Sequence, residues 1–304
     1  CQRMKSQEKN LLSLLIIVLI GVFAGGCSNN ASPVAKPSFT PETYPIIDGS
    51  TVTIPLSEHL AASLMNLDLE TARQYVLHNK THQAYVNLIE KKADLIFVTS
   101  PSAGELELAE QKDVELEVIP IVSEAFVFLT GADNPVTNLS LEDIQRIYKG
   151  EITNWKEVGG EDLPITAYQR PVDSGSQTGF LDLVMKDQQP MDAPSTLVIA
   201  GMGELIDTVA AYTNEPSGIG YSYYYYTSEM WGNENVKLLS VDGIEPNNKT
   251  ISSHEYPIHT AYYAVIRKEE VKDSDVRKII SYILSEDGQN LMEEAGYVKV
   301  TEKK

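Results

Sequence analysis

The chain has 304 residues, with 43 acidic and 24 basic side chains and a net charge of −19 at neutral pH. A chain this acidic repels the phosphate backbone, which excludes nucleic acid as a partner. Its only cysteines are Cys1 and Cys27, so a disulfide framework is excluded as well and stability must come from a buried core.

The first predicted element is a secretion signal. Basic residues precede an apolar run from Leu11 to Ala24, which is too short to cross a bilayer core of about 30 Å. The run ends in Gly25-Gly26-Cys27, which resembles the lipobox of bacterial lipoproteins. We therefore expect residues 1–27 to be a lipoprotein signal peptide with Cys27 lipidated, and the Ser/Pro/Ala-rich residues 28–42 to be a tether. The alternative is ordinary signal cleavage that leaves Cys27 unmodified.

Helix-like and strand-like segments alternate after the tether. Apolar residues spaced three and four apart predict helices at Pro55–Leu67, with Leu56, Leu60 and Leu64 inside, and at His82–Lys92. The run Leu95–Val98 predicts a buried strand.

The same alternation continues to the end of the chain. Ser140 begins a capping-box pattern that predicts a helix from Leu141, with Gly150 as its stop. Further helices are expected at Thr178–Met185, Met202–Ala210, Ser274–Leu284 and Glu286–Ala295, and strands at Ile165–Tyr168, Gly218–Tyr223, Val236–Val241 and Ala261–Ile266. Such an order predicts an α/β fold with mostly parallel sheets flanked by helices.

One turn in this series suggests anion binding. Ser174-Gly175-Ser176 stands between a predicted strand and a predicted helix, and Arg170 lies four residues ahead of it. The start of a helix carries unpaired N–H groups and a partial positive charge, so the turn predicts an anion cradle beside a guanidinium. The alternative is a plain serine N-cap next to a solvated arginine.

Similar hydroxyl-bearing turns occur elsewhere in the chain. Ser50 and Thr51 precede the first predicted helix, Thr81 precedes the second, and Thr99 follows the strand Leu95–Val98. A crevice at the carboxyl ends of strands would gather such turns around one ligand. Because the net charge opposes an anion, these local donors would have to provide the affinity.

Other chemistries find less support. The five histidines are scattered, so we expect no metal and no cofactor. The spacing around Ser174 and Ser176 is not that of a serine-hydrolase nucleophile turn. The tyrosine-rich stretch Tyr221–Tyr226 is interpreted as packing with hydroxyls that reach water, with a ligand-stacking platform as the alternative.

Two segments carry a family resemblance. Tyr148–Trp155 with Gly159-Gly160, and Arg170 with Ser174-Gly175-Ser176, closely resemble the phosphate-binding proteins of phosphate-specific ABC importers. Weaker likenesses at Ile47–Thr51, Asp94–Pro101, Ser217–Tyr221 and Glu286–Tyr297 extend over nearly all of the chain after the tether. The resemblance implies a periplasmic-binding-protein-like fold, in which two α/β lobes are joined by two crossover segments and hold the ligand between them.

The resemblance also implies domain boundaries and ligand contacts. Lobe one would comprise residues 43–123 and 258–304, and lobe two residues 124–257. The implied ligand-binding residues are Ser50, Thr51, Thr81 and Thr99 from lobe one, and Arg170, Ser174, Gly175 and Ser176 from lobe two. This chain departs from the family by having Thr99 in place of a buried carboxylate and Val172 in place of an Asp that pairs with the arginine. Both changes should weaken discrimination between phosphate and sulfate.

Together these features predict a non-enzymatic, monomeric, lipid-anchored receptor on the extracytoplasmic face of the membrane. It would capture a small oxyanion, with inorganic phosphate as the leading candidate, for a membrane-embedded ABC permease. The alternatives are a receptor or sensor for another oxyanion or an organic phosphate, and a secreted serine hydrolase that acts through Ser174 or Ser176.

Overall fold

A computed structural model describes residues 33–211 and 217–301. The predicted signal peptide, Cys27 and the first residues of the tether therefore lie outside the described residues. From Val34 onward the chain forms one compact unit. Within the described ranges, no helix is long and apolar enough to cross a bilayer. Phe39, inside the predicted tether, already packs on the core, and its N–H donates to the Leu64 carbonyl at 2.9 Å.

Strands and helices alternate along most of the described chain. Strands β1 to β10 are Ile47–Gly49, Leu95–Val98, Leu116–Gly131, Asn138–Leu139, Thr166–Ala167, Gly218–Tyr223, Val236–Leu238, Ser240–Val241, His259–Arg267 and Val298–Lys299. Helices α1 to α10 are Ile54–Met65, Leu69–Ala72, Lys80–Ile89, Ala103–Gln111, Leu141–Tyr148, Gly175–Gly179, Met202–Ala211, Asn248–Ser252, Asp275–Ile283 and Glu286–Glu294. Helix α6 continues as a π-helix over Phe180–Met185, and a second π-helix spans Tyr226–Met230.

The apolar run of β2 is explained by burial on both faces. Leu95 and Phe97 pack with α1 in one core cluster, whereas Ile96 and Val98 pack with α3 in another. Alternate residues of a strand point to opposite faces, so a strand covered on both sides is apolar throughout. The predicted inward-facing residues of α1, which are Leu56, Leu60 and Leu64, are buried as expected.

Strand β3 connects two groups of strands. Its first part pairs with β9, from Leu116↔Arg267 to Ala125↔His259, and its second part pairs with β6, from Phe126↔Tyr223 onward. The sheet order is β1-β2-β9-β3-β6-β5, with β10 and β7 also pairing with β3. The pairing with β9 is irregular between Pro120 and Val122, where proline has no N–H to donate to the ladder. The α/β class agrees with the prediction, while the division into two lobes and its boundaries stay a prediction.

The expectation of mostly parallel sheets is wrong, because the sheet is mixed. The pairs β1–β2, β5–β6 and β4–β8 are parallel, but β3 runs antiparallel to β6, β7, β9 and β10, and β2 runs antiparallel to β9. The reason is the two crossings between the strand groups. The chain leaves the first group along β3 and returns along β9, so the two long central strands run in opposite directions.

Several elements were not predicted from the sequence: the short elements β1, β4, β10, α2 and α8, and the two longer elements β3 and α4. Strand β3 was not predicted because its first five residues are only partly buried or exposed and it contains Pro120. Helix α4 was not predicted because only Glu105 and Ala109 on it are buried, which gives almost no apolar periodicity. The predicted strand Val236–Val241 is divided into β7 and β8, and the predicted helix at Thr178 begins earlier, after Ser174.

Candidate functional site

All eight predicted ligand residues line one cavity of about 260 Å³. The cavity is smaller than the ~300–1,000 Å³ of pockets for drug-sized ligands. It therefore suits a small ion or molecule. The predicted residues are Ser50, Thr51, Thr81, Thr99, Arg170, Ser174, Gly175 and Ser176.

Arg170 is held in a fixed orientation at the cavity wall. Its Nε donates to the Ile199 carbonyl, its Nη2 to the Ala200 carbonyl and its Nη1 to Ser176 Oγ, each at 2.9 Å. A guanidinium has five N–H donors, so two remain for a ligand in the cavity. The residue is 8% exposed, which places its charge away from bulk water.

The Arg170 charge has no carboxylate partner. Among the described residues, no Asp or Glu lies within 4.0 Å of its guanidinium, although Glu204 interacts with it at longer range, and Val172, at the position expected for a carboxylate, is 76% exposed. Burial lowers the pKa of Arg170 from its usual value, yet arginine stays protonated in proteins. A buried cation without a partner is costly, and an anion in the cavity would remove that cost.

The cavity has two walls, one formed by Arg170 and the turn Ser174-Gly175-Ser176, the other by Ser50, Thr51, Thr81 and Thr99. The turn before α6 brings these two walls together. Ser174 is the N-cap of α6, and its Oγ accepts from Gln177 N at 3.2 Å. A Cβ added to Gly175 would lie 2.5 Å from Thr99 Oγ1 and 2.6 Å from Thr81 Oγ1, closer than real contacts allow. Glycine is therefore required at position 175 for this approach.

Asp48 organises the opposite wall. Its Oδ1 accepts from Gly49 N at 2.7 Å and from Asn79 N at 2.9 Å, while its Oδ2 accepts from the side-chain amides of Asn79 and Asn87 at 2.9 and 2.7 Å. These bonds join the turn that leads into α1 to the start of α3. Two helix starts, bearing Ser50 and Thr51 on one side and Thr81 on the other, are thus held at the cavity.

Thr99 presents a buried hydroxyl without a well-oriented protein partner. The residue is 2% exposed, and Thr99 Oγ1 makes no hydrogen bond of good geometry with a described residue, although the Tyr223 hydroxyl lies close enough to interact with it. The nearby Tyr223 hydroxyl donates to the Gly175 carbonyl instead, at 2.9 Å. Buried polar groups normally have a partner, so an unpaired hydroxyl at this cavity indicates that a ligand supplies one.

Several cavity residues were not predicted as site residues. Lys80 has a left-handed backbone with φ 68°, an uncommon conformation for a residue other than glycine. His82 and Asp173 also line the cavity, and His82 Nδ1 lies 3.1 Å from Glu105 Oε1. Burial is the main cause that raises the pKa of Glu105, although its hydrogen bonds oppose the shift. The position of His82 directly after Thr81 was the signal that was available.

The tyrosine-rich stretch serves mainly as core. Tyr221, Tyr223, Tyr225 and Tyr226 are all buried, and Tyr221 stacks on Phe180 with ring centroids 4.6 Å apart. Their hydroxyls do not all reach water, since that of Tyr225 donates to the Ala295 carbonyl at 2.6 Å. Tyr223 and Tyr226 additionally line the cavity. Packing is thus the main role of the stretch, as predicted.

The described residues contain neither a metal cluster nor a serine that is hydrogen-bonded to a histidine at the cavity. No group of three or more His, Cys, Asp or Glu within residues 33–211 and 217–301 is placed to hold a metal ion. Ser174 Oγ accepts from a backbone amide and Ser176 Oγ from Arg170, while the His82 ring faces Glu105. This arrangement provides hydrogen-bond donors around a positive charge, as an anion site requires.

Comparison with known proteins adds sequence relatives. A model of the PBP superfamily domain matches residues 49–287. The phosphate-binding protein PstS of Bacillus subtilis is 28% identical over 201 residues, which are 64% of this chain and 63% of that protein. The match with the PstS of Borreliella burgdorferi likewise spans 63% of its length. A PstS from Staphylococcus haemolyticus is 26% identical over 298 residues, or 94% of this chain and 90% of that protein.

Solved structures share the fold. A Clostridium perfringens protein with bound phosphate is 26% identical, with a TM-score of 0.65 and coverage of 84% of this chain and 98% of that one. An ABC-type phosphate transport receptor from Vibrio cholerae, 23% identical, has a TM-score of 0.63 and coverage of 84% and 100%. The second likeness concerns the fold alone. Both likenesses indicate that this chain shares the fold of these proteins.

Proposed function

This chain belongs to the PBP superfamily, and from that premise we propose that it is a receptor that captures inorganic phosphate for an ABC importer. Its sequence relatives are named phosphate-binding proteins, and the Clostridium perfringens structure holds bound phosphate. The lobe division at residues 123 and 258 forms part of the proposal, because β3 changes its pairing partner between Ala125 and Phe126.

The single observation that carries the proposal is Arg170. Its guanidinium is buried, is held by three hydrogen bonds and has no carboxylate partner among the described residues. It faces a small cavity whose other lining groups include the hydroxyls of Thr51, Thr81 and Thr99. Hydrogen bonds to a charged group contribute about 1.5–3 kcal/mol each, so several together give micromolar or tighter binding.

Capture requires the two walls to separate and close again. Gly175 on one wall approaches Thr81 and Thr99 on the other too closely for even a Cβ between them. We propose that the anion first contacts the hydroxyls and helix starts of one lobe, and that Arg170 and the Ser174 turn then close over it. Such hinge closure around a ligand is a common device of binding proteins.

The remaining parts of the proposal concern catalysis, membrane attachment, oligomeric state and the transport partner. Ligand capture needs no covalent step, so we propose that the protein is not an enzyme and that Ser174 and Ser176 act as hydrogen-bond groups. We further propose that Cys27 is lipidated, that residues 28–42 tether the receptor to the outer face of the membrane, and that it delivers its ligand as a monomer to an ABC permease.

Calorimetry of Arg170→Gln tests the proposal. The variant removes the buried charge, so phosphate binding should weaken at least 100-fold, which corresponds to about 2.8 kcal/mol. Arg73→Gln is the matched control, because Arg73 is exposed and pairs with Glu58 away from the cavity, and it should bind as the parent does. Circular dichroism checks that both variants are folded. Equal phosphate affinity in parent and Arg170→Gln would refute the site.

A second ligand class deserves the same assay. The family resemblance implies carboxylates at positions 99 and 172, where this chain has the hydroxyl of Thr99 and the exposed apolar side chain of Val172. Without those carboxylates a protonated anion is less strongly favoured, so sulfate and an organic phosphate are assayed alongside phosphate. Tighter binding of either would move the assignment to another oxyanion receptor. If the dialysed parent protein gives no heat with any of the three, the oxyanion proposal is wrong.

A further inference from the structure

His82 is the only imidazole that lines the cavity among the described residues, and a buried carboxylate determines its orientation. Its Nδ1 lies 3.1 Å from Glu105 Oε1, and the Glu105 side chain is 1% exposed. The other carboxylate oxygen, Oε2, accepts from Ser102 N at 2.8 Å, while Ser102 Oγ accepts from Glu105 N at 3.2 Å. This capping box holds the Glu105 carboxylate against the ring.

The contact determines which ring nitrogen carries the proton. An ionised carboxylate only accepts hydrogen bonds, so Nδ1 must be the donor. In a neutral imidazole the other nitrogen, Nε2, then has a lone pair and can only accept. No hydrogen bond from a described residue reaches Nε2 of His82, and the side chain is 44% exposed, so this acceptor is open both to solvent and to a ligand in the cavity that the residue lines.

The cavity otherwise consists mainly of donors. Arg170 and Lys80 can only donate, and the hydroxyls of Thr81 and Thr99 can donate to an anion. Asp173 is the one carboxylate that lines the cavity in the described part of the chain, and it is exposed at the edge. A hydrogen phosphate ion brings a proton that needs an acceptor when it is buried, whereas sulfate brings none.

We propose that His82, oriented by Glu105, is the acceptor that recognises the proton of a bound oxyanion and so distinguishes hydrogen phosphate from sulfate. The inference rests on the proposed function and names a specificity residue within it. Glu105 is a positioning residue, since it acts through the ring. The charged groups around His82 are Glu105 from α4, Lys80 from its own helix, and Arg170 and Asp173 across the cavity.

Glu105→Gln provides the sharpest variant. The single side-chain oxygen of the glutamine would keep the bond from Ser102 N, which turns its NH₂ group toward His82 Nδ1. Because NH₂ can only donate, the ring must accept at Nδ1 and carry its proton on Nε2. The ring would then present a donor to the cavity, which suits sulfate and opposes the proton of hydrogen phosphate.

The affinities of phosphate and sulfate are measured by calorimetry at about pH 8, the upper end of the range in which an unperturbed imidazole changes its charge. The parent should prefer phosphate. His82→Ala should weaken phosphate binding about tenfold and leave sulfate unchanged, whereas Glu105→Gln should weaken phosphate and strengthen sulfate by about tenfold each. His59→Gln is the control, because His59 bonds the Pro55 carbonyl in α1 and does not line the cavity.

Nitrogen-15 NMR of the imidazole provides a readout that a structural role would not change. The parent should show the proton on Nδ1, phosphate but not sulfate should shift Nε2, and Glu105→Gln should show the proton on Nε2. An unchanged phosphate-to-sulfate ratio in both variants overturns the role of His82 while leaving the receptor proposal intact. A parent that binds neither anion overturns the receptor proposal and this inference together.

Discussion

Glu124→Gln should make the protein more stable at mildly alkaline pH. Glu124 is 2% exposed and lies on β3 next to the point where the strand changes partners, between Glu124↔Thr260 and Phe126↔Tyr223. Its carboxylate accepts from Ala125 N at 2.8 Å and from Tyr225 N at 3.3 Å. No Lys, Arg or His in the described part of the chain makes an ion pair with it.

The size of the effect follows from the pKa of Glu124. Burial raises this pKa from 4.5 to about 7, against the lowering effect of the hydrogen bonds. Between these two values the folded state holds a proton that the unfolded state has released, so stability falls as pH rises through this window. The loss integrates to about 3 kcal/mol. Glutamine keeps the carbonyl acceptor without the charge and should not show this loss.

Urea unfolding from about pH 4 to about pH 8 measures the difference. At the acidic end the variant should match the parent, and at the alkaline end it should be more stable by up to about 3 kcal/mol. Glu117→Gln on the same strand is the control, since Glu117 is partly exposed and pairs with Arg277, and it should cost no more than about 1 kcal/mol. A stability difference that does not grow with pH would refute the assignment.

Two further predictions concern the cavity. Thr99→Val keeps the shape but removes an unpaired buried hydroxyl, so calorimetry should show about 10–100-fold weaker phosphate binding while thermal unfolding of the free protein is unchanged or improved. If binding is unchanged, Thr99 does not contact the ligand. Gly175→Ala would place a Cβ 2.5 Å from Thr99 Oγ1 and so keep the two walls of the cavity apart. The affinity for phosphate should fall at least tenfold, and small-angle scattering would detect the failure to close. Gly232→Ala, which meets no atom within 4 Å, is the control, and equal affinity in the two variants would contradict the closure argument.

Much of the site was predictable because its residues lie at the ends of strongly patterned elements. The strand Leu95–Val98 leads directly to Thr99, and the periodic helix after Lys80 places Thr81 at its start. Since helix starts and strand ends are local features, their hydroxyls could be assigned without knowledge of the tertiary structure. The structure brings them together, as the resemblance implied, while ligand binding itself stays a prediction.

What could not be predicted depends on pairing between distant residues. The antiparallel contact of β3 with β9 joins Leu116 to Arg267, and no local pattern encodes strand direction over such a separation. The partners of Arg170 could not be predicted either, because they are the backbone carbonyls of Ile199 and Ala200, and every residue type has such a carbonyl. The sequence did not identify His82 as a site residue for the same reason, since its contact with Glu105 crosses between two helices.

The hydrogen bonds of Asp48 determine which wall of the cavity can move when an anion binds. One carboxylate accepts from Gly49, Asn79 and Asn87, so the segments leading into α1 and α3 are tied to a common point and cannot shift independently. This wall of the cavity is thus preassembled, and little ordering entropy would remain to be lost there on anion binding. Any movement on anion binding would instead involve the opposite wall, which would carry Arg170 and the Ser174 turn as a unit because the guanidinium is held by its own hydrogen bonds.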